Sequence, residues 1–253
     1  METHFPTIRK LFVVTALTFL LFIVIELFWG GFQNKGKILL LEGVTVIPAI
    51  IYVLVVGFPF REVFKWRKVR GDLLLVSGIL GLGLSIFLDE IDRLIQMVFP
   101  MKKELLDAME EFLVVRSPGD LIFVVLTVIV VASFAEEMLF RGLFQGTLER
   151  NMDATKAVAV TSVAFAVLHF NPWWFIEILI LGTVLGFLAW RSGSLFPCVV
   201  VHAINNGLSV YFINTNTSRL DWYLFKGHVS PIWILVSAGC ILLGVRLFGR
   251  MSK

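Results

Sequence analysis

Three short stretches carry side chains able to do chemistry, and each lies in an otherwise apolar run. The first is Phe134-Ala135-Glu136-Glu137-Met138-Leu139-Phe140-Arg141-Gly142. Adjacent helical residues point about 100° apart, so the two carboxylates cannot share one face. Glu137 and Arg141 stand at i,i+4 and can pair. Glu136 is left without a sequence-local partner, and an unpaired carboxylate sheltered from water is a candidate general base. The second stretch is Phe165-Ala166-Val167-Leu168-His169, followed by Asn171-Pro172, which should end its helix. The third is His202-Ala203-Ile204-Asn205-Asn206, in which His202 and Asn206 lie at i,i+4. Each has a bland reading taken alone: a charge cluster at a helix exit with Arg141 snorkelling, a packed histidine at a helix end, and helix-to-helix hydrogen bonds inside a membrane. Together they supply a carboxylate, two imidazoles, an amide and an ion pair from three separate helices. One shared polar cavity accounts for them better than three coincidences. Such a cavity suits water activation and oxyanion stabilisation at a carbonyl. It also suits a metal held by two histidines and one glutamate, although no HExxH motif is present.

The elements that must position these groups are membrane helices. Of 253 residues, 58% are hydrophobic and 16% charged, where a soluble chain carries about 25% charged residues. That balance excludes a soluble enzyme, a disordered chain and a disulfide scaffold. The net charge of +3 is too small and dispersed for a nucleic-acid partner. Apolar runs long enough to cross a bilayer, about 17–25 residues, recur at Lys10–Trp29, Ile38–Phe58, Leu73–Leu88, Leu121–Phe144, Ala157–Phe170, Trp174–Trp190, Leu195–Ile213 and Ile232–Phe248. The expected fold is all-α: a polytopic membrane protein of about eight transmembrane helices enclosing a polar intramembrane cavity. It forms a single integral membrane domain over residues 1–253. The first run lacks a small-x-small cleavage site and reads as a retained helix. Fourteen of the 22 Lys and Arg residues fall on the side of the termini, including the block Arg61–Arg70, which predicts cytoplasmic termini. Leu105, Leu106, Met109, Phe112 and Leu113 predict an amphipathic helix on the opposite surface. Ser117-Pro118-Gly119-Asp120 reads as a capped turn into the fourth span. Cys198 and Cys240 read as core residues, the GxxxG pairs at Gly142/Gly146 and Gly182/Gly186 as close helix packing, and Trp173, Trp174, Trp222, Tyr223 and Trp233 as an interfacial belt. Glu26, Glu42 and Glu177 are expected at the interface.

The ordered set Glu136-Glu137-x-x-x-Arg141, Phe165-x-x-x-His169 and His202-x-x-x-Asn206 resembles the three motifs of the CAAX-protease and bacteriocin-processing (Abi) family. Phe140-Arg141-Gly142 and the approach Arg191-Ser192-Gly193-Ser194-Leu195-Phe196-Pro197 resemble it too. The resemblance covers a motif-bearing core of about 120–215. It implies an intramembrane endopeptidase acting on a membrane-associated peptide or protein, with the lipid bilayer as its other partner. Carried over by residue, Glu136 would activate the attacking water, His169 would orient it, and His202 and Asn206 would stabilise the oxyanion. Glu137 and Arg141 would support them. The expectation is no cofactor, because Asn206 is a poor zinc ligand and a good oxyanion donor. If a metal such as zinc is present, its ligands would be Glu136, His169 and His202. Eukaryotic members act on prenylated C-terminal tails. A chain without accessory tails leans towards a bacterial cell membrane and a substrate that is not prenylated.

Two other classes stay open on the residues. One is a proton-coupled transporter, since buried Glu and His also build proton relays, though no inverted repeat is visible. The other is a non-catalytic scaffold or immunity protein that retains the fold. A geometric tension accompanies all three readings. At about 1.5 Å per residue, Glu136 lies roughly 22 Å from the outer end of its helix, His169 about 20 Å from the inner end of its own, and His202 only about 10 Å from the inner face. Straight helices of equal length would not bring them together.

Overall fold

A chain in lipid must satisfy its backbone polar groups within each segment, which leaves the helix as the element available to apolar runs of this length. The computed structural model describes residues 5–28, 35–111 and 113–252. Trp29, Phe112 and Lys253, which entered the sequence reading, lie outside the described residues, as does the side chain of Met109. Helix accounts for 78% of the residues, and the strands among the described residues are the two-residue arms of one hairpin, β1 (Leu224–Phe225) and β2 (His228–Val229). The long helices are α1 (Ile8–Phe28), α2 (Lys35–Val56), α4 (Gly71–Val98), α6 (Pro118–Glu149), α8 (Phe175–Ser192), α9 (Phe196–Ile213) and α10 (Pro231–Met251). Three shorter ones are α3 (Phe60–Val63), α5 (Lys103–Glu110) and α7 (Ala154–Val167). Leu75, Leu235 and Leu242 are each more than 70% exposed, an arrangement that suits a lipid solvent and not water.

Among the described residues seven helices are long and apolar enough to cross a membrane, against the expected number of about eight. The fifth expected span is α7, whose 14 residues cover about 21 Å of a hydrocarbon core about 30 Å thick. It packs as an antiparallel hairpin with α8: a Cβ at Gly186 would meet Val158, and one at Gly182 would meet Ser162. Its ends are set locally. Asp153 accepts a hydrogen bond from the Lys156 backbone N–H at 3.0 Å as the N-cap. Asn171 Oδ1 accepts from the N–H groups of Trp173 and Trp174 to start the next helix.

The third span overruns its expected end at Leu88 by ten residues. The charges that appeared to stop it are paired along the helix: Asp89 with Arg93 and Asp92 with Gln96, each at i,i+4. This extension holds the hairpin, for Tyr223 Oη donates to Asp89 at 2.8 Å, and Glu90 accepts from the Val229 N–H at 2.8 Å. Tyr223 is therefore buried and not part of a surface belt. Burial pushes its phenol up from the ordinary tyrosine range, and the Asp89 charge adds to the effect. Glu177, expected at the interface, is partly buried and within electrostatic reach of Asp92 of α4.

The fourth span also exceeds expectation: α6 runs for 32 residues, capped by Ser117 Oγ, which accepts from the Asp120 N–H at 3.1 Å. It is not uniformly α. Val125–Ala132 and Met138–Phe144 are wound in the wider i→i+5 manner, on either side of an α-helical turn at Ser133–Glu137. Such π-type turns recur at functional sites. Here they bracket the two adjacent glutamates.

Candidate active site

The extra length of α6 removes the depth conflict. Glu136 lies about 20 Å from Glu149 at the basic end of α6, and His169 about 22 Å from Ala154 at the same end of α7, at about 1.5 Å per residue. The start of α9 is pinned beneath the loop after α3, with Leu195 N–H donating to the Lys65 carbonyl at 3.0 Å and Ser194 Oγ to the Arg67 carbonyl at 2.6 Å. His202 consequently enters the cluster from a helix that begins below that loop.

Three side chains meet at one oxygen. Glu136 Oε2 stands 3.6 Å from His169 Nε2 and 4.0 Å from His202 Nε2. It is buried and makes no direct hydrogen bond. Those separations exceed a hydrogen bond and leave room for a bridging water. The Glu136 side chain is 16% exposed and that of His169 30%, so the cluster is only partly sheltered although Oε2 itself is buried. Both imidazoles are oriented through their other nitrogen. His169 Nδ1 meets the Phe165 carbonyl at 2.6 Å. A carbonyl only accepts, so Nδ1 carries the hydrogen and Nε2 is left facing Glu136. His202 Nδ1 meets Glu137 Oε1 at 2.8 Å.

Glu137 is wholly buried, as is Arg141, and the two pair at 2.9 Å as the i,i+4 spacing predicts. Arg141 also donates to the Gly182 carbonyl at 3.3 Å and lies 4.2 Å above the Phe165 ring. Arg141 is thus not a snorkelling surface cation. It ties α6 to α7 and α8. One turn later Gln145, also fully buried, repeats the contact by donating to the Gly186 carbonyl at 2.8 Å. Space is short at the second of these acceptors. A Cβ at Gly186 would lie 2.9 Å from Val158 Cγ1 and 3.1 Å from Gln145 Oε1. Asn206 lies one turn beyond His202, and its Nδ2 donates to the Val128 carbonyl at 2.9 Å, in the first π-wound segment of α6. One N–H of the amide is committed there, leaving a second for other use.

Two contributors escaped the sequence reading. Gln145 is an uncharged residue inside an apolar helix, and its spacing of four from Arg141 was the available signal. Glu42 of α2 is partly buried and sits within electrostatic reach of Glu136, not at the interface. Its placement depends on α2 packing against α6, for which the sequence carries no local mark.

Residues 118–208 match the family model of type II CAAX prenyl endopeptidase Rce1-like proteins. The resemblance read from the three motifs is borne out over that segment. It contains Glu136, Glu137, Arg141, Gln145, His169, His202 and Asn206, and leaves α1 to α5, with Glu42, and α10 outside. No curated protein and no solved structure matches the chain. The chain is an integral membrane protein by its seven long apolar helices, and at the level of the family the matched segment supports a membrane-embedded protease. Among the described residues no group of three or more His, Cys, Asp or Glu side chains is arranged to hold a metal ion. Glu136, His169 and His202, the expected ligands if a metal is present, come together without forming such a group.

Proposed function

We propose that the protein is an intramembrane endopeptidase that hydrolyses a peptide bond of a membrane-associated peptide or protein with a water molecule activated by Glu136. The observation that carries the reading is the division of labour between adjacent glutamates. Glu137 is consumed by Arg141 and His202, whereas Glu136 Oε2 points at two imidazole nitrogens with no hydrogen bond of its own. A water held there would donate one hydrogen to Glu136 and the other to His169 Nε2. As its oxygen attacks the carbonyl carbon, Glu136 takes the proton. The tetrahedral oxyanion is stabilised by His202, held in place by Glu137, and by the remaining amide N–H of Asn206. Glu136 then returns the proton to the leaving amine as the C–N bond breaks. Glu137 and Arg141 act as positioning residues. The excess of Lys and Arg on one side supports cytoplasmic termini, now without Arg141, which is buried.

The test compares membrane peptidomes of cells carrying wild type, Glu136→Gln or His169→Ala at matched expression and with folding verified by thermal unfolding. A peptide or trimmed terminus present only with wild type is expected, with processing reduced about 10²–10⁴-fold in the Glu136 variant. Wild-type processing by a folded Glu136→Gln protein would overturn the assignment.

A further inference from the structure

A cavity of about 900 Å³ lies at the basic end of the bundle, between the loop after α3, the end of α6 and the α8–α9 turn, and none of Glu136, Glu137, Arg141, His169, His202 and Asn206 lines it. Five basic side chains border it, Arg61, Lys65, Arg67, Lys68 and Arg150, against two acidic ones, Glu62 and Glu149. Glu149 is already used by Lys65, whose Nζ donates to both carboxylate oxygens at 3.0 and 2.8 Å. Arg61, Arg67 and Lys68 are exposed and form no ion pair among the described residues. Arg150 lies 3.7 Å above the Phe5 ring.

The loop carrying these cations is held in a strained, fixed form. Lys65 has φ of +48°, a conformation that a residue with a Cβ adopts at a cost and that persists only when its surroundings enforce it. Here the enforcement is its buried ion pair with Glu149 and the two hydrogen bonds from Leu195 and Ser194 to the loop carbonyls. A basic loop serving only to set topology needs charge but no such restraint. The remaining wall is apolar: Trp66 packs on Phe196 with ring centroids 5.3 Å apart. A fixed set of cations beside an aromatic wall at the membrane surface matches a ligand with a phosphate next to hydrocarbon.

We propose that this cavity binds the phosphate-bearing headgroup of an anionic phospholipid. Arg67, Lys68 and Arg61 contact the phosphate, and Trp66 and Phe196 receive the start of the acyl chains. The site is independent of the proteolytic reading, and it stands or falls without it.

The experiment titrates the purified full-length protein in detergent with phosphatidylglycerol or phosphatidylcholine and reads bound lipid by native mass spectrometry. Wild type should prefer phosphatidylglycerol by at least tenfold. Arg67→Gln/Lys68→Gln should lose roughly thirtyfold in affinity for it, two cations' worth near a membrane surface. Arg246→Gln/Arg250→Gln, which removes two exposed cations of α10 outside the cavity, should bind like wild type. Should the first variant unfold, Arg67→Lys/Arg61→Lys keeps the charge and should retain the preference, and sodium chloride at about 0.5 M should abolish it in wild type. The proposal is overturned by equal affinity of wild type for the two lipids, by an equal loss in the α10 variant, or by a preference that survives the salt. Displacement of the lipid by an equal concentration of sodium phosphate would also overturn it, because the cavity would then be a site for free anions.

Discussion

Removing Arg141 alone should damage the protein more than removing Arg141 and Glu137 together. In the folded chain both side chains are fully buried and pair at 2.9 Å, and Glu137 keeps one further partner, His202, at 2.8 Å. Arg141→Met retains an unbranched stem of similar reach but leaves a carboxylate charge deep in the bundle. Breaking a buried pair from one side costs about 3–5 kcal/mol, or roughly two to three and a half decades in the folded-to-unfolded ratio at 1.4 kcal/mol per decade. Glu137→Gln/Arg141→Met strands no charge. It loses hydrogen bonds worth about 1 kcal/mol each and should cost about 1–3 kcal/mol in all. The double variant should then be about 2 kcal/mol more stable than Arg141→Met alone. Unfolding in mixed micelles, titrated with a denaturing detergent and followed by tryptophan fluorescence, measures both variants and Glu137→Gln. If the double variant is destabilised by the sum of the singles, the two charges do not depend on each other. If Arg141→Met costs less than about 1 kcal/mol, the ion pair is not a buried one.

Two further outcomes follow from packing and from charge. In α4, Gly83→Ala puts a Cβ 2.6 Å from Cys240 Cβ and should lower stability by about 1–3 kcal/mol, whereas Gly78→Ala meets only Ile204 at 3.8 Å and should raise it by up to about 1 kcal/mol through helix propensity; thermal unfolding in detergent reads both signs. Asp153 is held below the usual carboxylate range by the Lys156 backbone N–H. A depressed folded pKa gives stability that is present above the ordinary aspartate value and is lost as pH falls through the folded one. Asp153→Ala should accordingly be less stable than wild type at pH 7, with the gap closing under acid; a gap independent of pH would remove the cap from the account.

Much of this protein is legible along the chain. Apolar runs of bilayer length are read by composition, because lipid leaves a backbone few alternatives to the helix, and the chemical groups are conspicuous because ionisable side chains are rare in such runs. The pairing of Glu137 with Arg141 and the isolation of Glu136 from local partners follow from helical spacing alone. Tertiary structure decided the rest. The length of α6 and α4 could not be read from charge, since Asp89, Asp92 and Arg93 are neutralised within the helix and by the hairpin instead of ending it. The two π-wound segments of α6 alter which faces its residues present, and no 3.6-residue periodicity reports them. The meeting of Glu136, His169 and His202 depends on three helices with different starting depths, which only their packing sets. Glu42, Gln145 and the cation-lined cavity near Lys65 likewise arise where segments remote in sequence touch, and local sequence has no means of recording that contact.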